Sequence, residues 1–347
     1  MALMTYDEVV ATLEKKKRIP NLIVGNGFSM AYNSEIFSYN ALHKFIEQLN
    51  DELLLKLFDI VKTKNFEMVM QQLDNFAELI RAFGSDAKLL EKVSRASDYL
   101  KSSLIEAIKK LHPEHVFKIS DEESKQCAQF LSTYLSKKGN IFSTNYDILL
   151  YWVLMRNNIE SHVDGFGRDR EDDESDPDSE PEYSELRWGK YRGSQNVHYL
   201  HGALPIFDVG IDIIKEEYDG RFLLEKIEER LQAKQYPVFV AAGNGKEKLG
   251  HIMHNRYLCY CYEALSNIEG SVVTFGFNFG EYDHHIIDAI NKAAKGKWVD
   301  GKFVKLLSIY IGVYTENDEK HIKSLINSKV FKCKVNLYDA RTAKIWR

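Results

Sequence analysis

The sequence predicts an α/β protein built on a doubly wound, Rossmann-like parallel sheet, with a large helical insertion after the first strand. Three observations predict it. Short β-branched and aromatic runs recur at Asn21–Val24, Asn140–Ser143, Val197–Leu200, Val238–Ala242, Ser271–Phe275, Leu306–Val313 and Val335–Tyr338. Several lack polar alternation, the mark of strands covered on both faces. Helical stretches such as Ile252–Ser266 and His284–Ala294 lie between them, and right-handed βαβ crossovers then give a parallel sheet. The first strand also closes on Gly25-Asn26-Gly27-Phe28-Ser29, a strand-to-helix turn suited to the phosphates of a nucleotide.

Taken in order, a helix over Tyr6–Lys16 precedes the first strand. Apolar residues then fall at spacings of three and four, as in Leu42, Phe45, Ile46 and Leu49. That periodicity marks residues 39–135 as a helical insertion. The strand at Asn140–Ser143 leads to a helix from about Asp147 and a short strand candidate at Ile159–Val163. Residues 165–190 form an acidic loop, since Asp169–Glu185 holds ten acids and one arginine. Like charge at that density cannot pack a core, so the loop is expected to be solvated and mobile.

A chain of 347 residues, 44% hydrophobic and 28% charged, has ordinary globular composition and is read as one elaborated domain. No apolar run approaches the roughly 18 to 20 residues that cross a bilayer, and Met1–Lys17 lacks the layout of a signal peptide. A cytoplasmic protein without a membrane association is expected. The net charge of −5 gives no bulk signal for nucleic-acid binding, and no direct nucleic-acid binding is expected. Cys127, Cys259, Cys261 and Cys333 form no CxxC pair, so neither a disulfide framework nor a zinc ribbon is expected. His251, His254, Cys259 and Cys261, with His284 and His285, match no standard metal spacing, and no metal is expected.

Four segments carry candidate chemistry. The glycine turn lets backbone approach a pyrophosphate, with Gly25, Asn26, Gly27, Phe28 and Ser29 as binding candidates. Alone it is equally compatible with a tight turn, and it departs from GxGxxG because Met30 stands where the third glycine would be. In Ser143-Thr144-Asn145-Tyr146-Asp147, three polar residues crowd a strand's carboxyl end, more than a helix cap needs. Asn145 is the candidate to orient a water or sugar. In Val197–Ala203, His201 precedes a glycine and is the candidate general base, whereas His198 is read as structural. The loop Gly276-Phe277-Asn278-Phe279-Gly280, followed by Asp283 at a helix start, is a further polar loop on the same rim.

In order and spacing these four motifs, with Phe37-Ser38-Tyr39, resemble the bacterial sirtuin-like family. The match is to the group that opens with a GNGFS-type loop, and it runs from about Asn21 to Val313. The resemblance implies an NAD site: Gly25, Gly27 and Ser29 at the phosphate loop, Asn145 and Asp147 at the nicotinamide ribose, Gly276 and Asn278 on the adenine side, with Thr144 and Asp283 as further binding candidates in the same loops. It implies that Asn145 and His201 are catalytic. The four-cysteine zinc module of protein deacylases has no counterpart here. That departure resembles the anti-phage defence members, which hydrolyse NAD to nicotinamide and ADP-ribose during abortive infection.

The expectation is therefore an NAD glycohydrolase using NAD as substrate without a metal, held weakly active until a partner or assembly activates it. The resemblance implies a HerA-like ATPase or another defence-system subunit as partner, within a homo-oligomer or hetero-complex. A sensor that binds NAD, ADP-ribose or a related nucleotide without turnover is the alternative. A protein deacylase or ADP-ribosyltransferase ranks behind both.

Overall fold

The computed structural model describes residues 3–33, 52–61, 66–84, 87–111, 118–157, 159, 161–170, 183–233, 235–240, 245–280, 283–299 and 301–346. The expected Phe37-Ser38-Tyr39 segment, the first residues of the helical insertion and residues 171–182 of the acidic loop lie outside them.

Helix α1 (Tyr6–Lys15) opens on a capping box between Thr5 and Glu8, which satisfies two backbone donors that a helix start leaves open. Strand β1 (Pro20–Val24) is buried at all five positions and feeds the short helix α2 (Asn26–Tyr32). The helical insertion follows as α3 (Glu52–Val61), α4 (Phe66–Ala82) and α5 (Ala87–Leu111), with α4 and α5 packed on each other. Helix α6 (Asp121–Leu135) packs on β1 and on β2 (Ile141–Ser143). It is thus the crossover between two neighbouring strands, although the periodicity alone had merged it with the insertion.

After α7 (Leu149–Arg156) come the short strands β3 (Phe166–Gly167), β4 (Leu186–Trp188) and β5 (Val197–Tyr199). They are followed by β6 (Gly202–Asp208), β7 (Ile213–Lys215), α8 (Leu223–Gln232) and β8 (Pro237–Phe239). Helices α9 (Gly245–His254) and α10 (Arg256–Ser266) replace the single helix expected over Ile252–Ser266. Asn255 separates them, because its side chain accepts from the N–H groups of Tyr257 and Leu258 and caps α10. The chain continues through β9 (Gly270–Phe275), α11 (His284–Lys295), the strands β10 (Lys297–Val299) and β11 (Lys302–Val304), then β12 (Leu306–Val313), α12 (Glu316–Asn327) and β13 (Lys334–Asp339).

Six strands form one all-parallel sheet in the order β13-β12-β9-β1-β2-β5. Numbered by their appearance within that sheet, and read from β5, the order is 3-2-1-4-5-6, the Rossmann-like arrangement of dinucleotide-binding sheets. The chain reverses its direction of winding between β1 and β9. That places a topological switch point where the glycine turn and the Gly276 loop emerge.

A second, antiparallel sheet has the order β3-β4-β7-β6-β8. Val238–Ala242 was expected in the parallel sheet, but its strand is β8 and pairs antiparallel with β6. Ile159–Val163 is not a strand among its described residues. The backbone groups of Val163 bond to Asn196 and Val197 instead, the N–H going to Asn196 Oδ1 at 2.8 Å. The outer parts of the 165–190 loop are ordered as β3 and β4, with Lys190 bonded to Asp169 at 2.7 Å.

The chain's far end returns to its beginning. The Trp346 indole N–H donates to the Phe28 carbonyl at 2.9 Å, and its ring lies 5.2 Å from that of Phe28 and 5.1 Å from that of Tyr32. Helix α2 is thereby held from outside the sheet. Among the described residues no helix is long and apolar enough to cross a membrane.

Candidate functional site

Because β9, β1, β2 and β5 are adjacent and parallel, the segments leaving their carboxyl ends share one rim. The sequence candidates lie on it, and several are bonded to one another. Gly25 N–H donates to the Phe275 carbonyl at 3.0 Å and Gly27 N–H to the Gly276 carbonyl at 2.9 Å. Gly276 has φ of +64°, and a Cβ there would stand 2.5 Å from the Gly27 Cα. A Cβ on Gly25 would in turn stand 2.6 Å from the Gly276 carbonyl oxygen. The close approach that requires glycine is thus between two loops of the protein. Phe28 N–H donates to the Gly25 carbonyl at 2.8 Å, so two of the first N–H groups of α2 that were expected to face phosphate are engaged internally.

Beneath the turn lies a buried polar network. Asn145 Nδ2 donates to the Gly25 carbonyl at 3.0 Å and to Ser29 Oγ at 2.9 Å, and Ser29 Oγ donates to Asp147 Oδ2 at 2.5 Å. Asp147 Oδ1 accepts from Leu149 N–H at 3.0 Å, which ties the carboxylate to the first residue of α7. Burial pushes the Asp147 carboxyl up to about 6, against the hydrogen bonds from Ser29 and Leu149 that favour its ionised form. Asn145 and Asp147 therefore brace the glycine turn, and Oδ1 is the atom of Asn145 left for a ligand. Thr144 ties the same strand end to β1, with its N–H donating to the Val24 carbonyl at 3.0 Å.

Replacing Ser29 with alanine removes the acceptor for Asn145 and the donor for Asp147. Ser29→Ala is expected to cost about 2 kcal/mol, the range for leaving buried polar groups unmatched. Urea denaturation checks this; an unchanged midpoint would mean the network does not hold the turn.

His201 lies in the turn between β5 and β6 and is buried. Its Nε2 is 2.8 Å from Nε2 of His285, and the rings are 5.1 Å apart. Two imidazoles in such contact share one proton, one donating and the other accepting. Burial holds His201 well below the usual histidine range, and the nearby positive charge of His285 and Lys248 lowers it further. The carbonyl of Thr144 acts in the opposite direction. His201 is consequently neutral at pH 7.

Of the remaining candidates, Asn26 is half-buried, Asn278 is exposed, and Asp283 sits at the start of α11. The Asp283 side chain does not cap that helix; Lys248 Nζ lies 3.4 Å from its Oδ1. Lys248 is itself buried. The structure thus adds Lys248 and His285, neither of which sequence reasoning placed at this rim. His285 stood out only as one of two adjacent histidines and was weighed as a metal ligand. Among the described residues no group of three His, Cys, Asp or Glu side chains is arranged to hold a metal ion.

His198 takes the structural role assigned to it. It stacks on Phe142 with ring centroids 4.8 Å apart, its Nε2 is 3.3 Å from Asn140 Oδ1, and burial lowers it to about 3.

A family model described as Domain of unknown function (DUF4917) matches residues 22–346, from within β1 to Trp346 and across every rim residue named above. No curated protein matches the sequence. The chain belongs to the DUF4917 family.

Proposed function

We propose that the protein is an NAD glycohydrolase, cleaving the bond between nicotinamide and ribose to give nicotinamide and ADP-ribose. The observation that carries the proposal is the meeting, at the switch point of a 3-2-1-4-5-6 sheet, of the glycine turn, the Asn145–Asp147 network and a neutral buried histidine. Open α/β sheets bind nucleotides at that point. The resemblance to sirtuin-like proteins assigns the same residues to NAD.

Nicotinamide leaves readily because its ring nitrogen is cationic in NAD. Water bonds to the ribose C1′, the C–N bond breaks with its electron pair going to nicotinamide, and the proton lost by water passes to His201. Asn145 Oδ1 orients the water or the ribose, and orientation of this kind is a large source of rate. His285 occupies Nε2 of His201, so a ribose hydroxyl must take its place for His201 to act. The activity is further proposed to serve anti-phage defence, released by a partner such as a HerA-like ATPase or by self-assembly.

A second reading, nucleotide sensing without turnover, is favoured by the internal engagement of Gly27 N–H, Phe28 N–H and both amide protons of Asn145. Incubating purified protein with NAD, alone and with its co-expressed neighbours, separates the two when nicotinamide is followed by chromatography. His201→Ala is expected to lower nicotinamide release about 100-fold, the scale of lost general-base catalysis. A base depressed below the usual histidine range stays neutral on mild acidification, so activity should hold from pH 8 to pH 6.5, within the ordinary histidine range. NAD binding without nicotinamide release under every condition selects the sensor.

A further inference from the structure

The opposite end of the parallel sheet has a different character. Crossover helices run against the strands, so their carboxyl ends gather where the strands begin. Exposed lysines collect there: Lys17 before β1, Lys138 before β2, Lys297 and Lys305 before β12, and Lys332 and Lys334 at the start of β13. Cations are favoured at helix carboxyl ends by the helix dipole, and that alone accounts for some of them. It does not account for the hairpin among them.

Among the described residues, strands β10 and β11 pair only with each other and belong to neither sheet. Trp298 and Phe303 are directly opposite in the hairpin register, with ring centroids 5.7 Å apart. They are 73% and 45% exposed, so the pair spends most of its aromatic surface in water. Lys302 is bonded to Glu269 at 3.1 Å and Lys137 to Glu14 at 2.5 Å, which removes two lysines from the available set. Lys305 lies beside Phe303 on the aromatic face of the hairpin, both against Gly296, and Lys297 adjoins Trp298 on the opposite face.

We propose that this face binds single-stranded nucleic acid, with unpaired bases stacking on Trp298 and Phe303 and the phosphates following the lysines toward β13 and β1. Aromatic platforms beside a basic track are the physical means by which proteins hold unpaired strands without reading sequence. Neighbouring strands are about 4.8 Å apart, so the lysines from β13 to β2 span roughly 20 Å, enough for several nucleotides. An anionic membrane would also attract lysines, but a membrane wedge carries its apolar residues at the tip. Here the sequence between the two strands is Asp300-Gly301, and the aromatic pair is one register step back from it. The bulk charge of −5 conceals the face because most of the excess acid sits in Asp169–Glu185.

The test uses the full chain and a fluorescein-labelled oligothymidylate, followed by anisotropy between about 50 and 200 mM salt. Binding is expected, with a log–log salt slope of about −3 if four lysines meet phosphates. Trp298 fluorescence should be quenched by unlabelled oligonucleotide. Trp298→Ala with Phe303→Ala should weaken binding at least about fivefold. Lys297→Glu with Lys305→Glu should flatten the salt slope by about 1.4, whereas Lys92→Glu, an equivalent charge change on the exposed side of α5, should leave it unchanged. The substituted side chains are exposed, and thermal melts verify that each variant is folded. No binding at low salt overturns the proposal. So does binding that ignores both double substitutions, or sedimentation with phosphatidylserine vesicles in the absence of oligonucleotide binding.

Discussion

Gly276→Ala is expected to destabilise the protein by about 2 to 5 kcal/mol. Two costs combine. A residue with a Cβ pays about 1 to 2 kcal/mol for the left-handed conformation at φ of +64°. The added carbon would also stand 2.5 Å from Gly27 Cα, Gly27 C and Phe28 N. These are backbone atoms at the start of α2, just past the end of the central strand β1, and cannot swing aside as a side chain would, and overpacking of this kind costs a further 1 to 3 kcal/mol, roughly. Gly84 separates the two contributions. Its φ is +66°, and nothing lies within 4 Å of a Cβ placed there. Gly84→Ala should therefore cost only about 1 kcal/mol. Urea denaturation of both variants checks the difference; equal losses would show that the two loops can separate freely. A loss of about 5 kcal/mol would equal the whole stability of a marginal domain, so Gly276→Ala at low temperature is the condition to examine first.

The second large effect is a pH dependence centred on Asp147. Its carboxyl titrates near 6 in the folded protein, against about 3.9 for an ordinary aspartate. The folded state therefore holds the proton more tightly. The stability linked to that proton is complete below about pH 4 and is lost as pH rises to about 6, a change of about 3 kcal/mol. His198 and His201 act in the opposite sense. Both are depressed by burial, so below about pH 6.5 the unfolded chain binds protons that the folded one refuses. Between about pH 4 and 6 the proton that Asp147 holds only in the folded state offsets part of the loss of stability that the two histidines cause on acidification. Asp147→Asn removes the opposing group and should steepen the fall by about 1.4 kcal/mol per unit of acidification. Denaturant titrations across that interval read the slope directly; identical slopes in both proteins would mean that Asp147 ionises normally.

The alternation of buried strands with amphipathic helices made the parallel sheet legible, because residues such as Ile23, Phe142 and Val273 are apolar where both faces are covered. The antiparallel sheet was not legible. Strands β3, β4 and β7 are two or three residues long, too short for a period to register, and β8 reads like any buried strand until its partner is known. At the candidate site, each rim segment announced itself by polar residues following an apolar run. The pairing of His201 with His285 did not, since nothing local links positions 84 residues apart. The glycine turn was legible as a place of close approach, but the approaching group is the backbone of Gly276. A sequence shows that space is needed and not what fills it.

The interlock of the Gly25 turn with Gly276 has a consequence for how the protein is made. Strand β1 leaves the ribosome well before its two neighbours, yet it lies between β2 and β9, whose residues follow it by more than a hundred and by about two hundred and fifty positions. Such distant pairings form slowly. The turn cannot take its final shape until Gly276 has been synthesised, so a nascent chain carries every residue of the first loop long before it carries a rim. An incomplete chain released early would present β1 as an unpaired apolar edge, the kind of surface that invites aggregation. Assembly of the candidate site therefore waits on synthesis of its last rim segment, which carries Gly276 and His285.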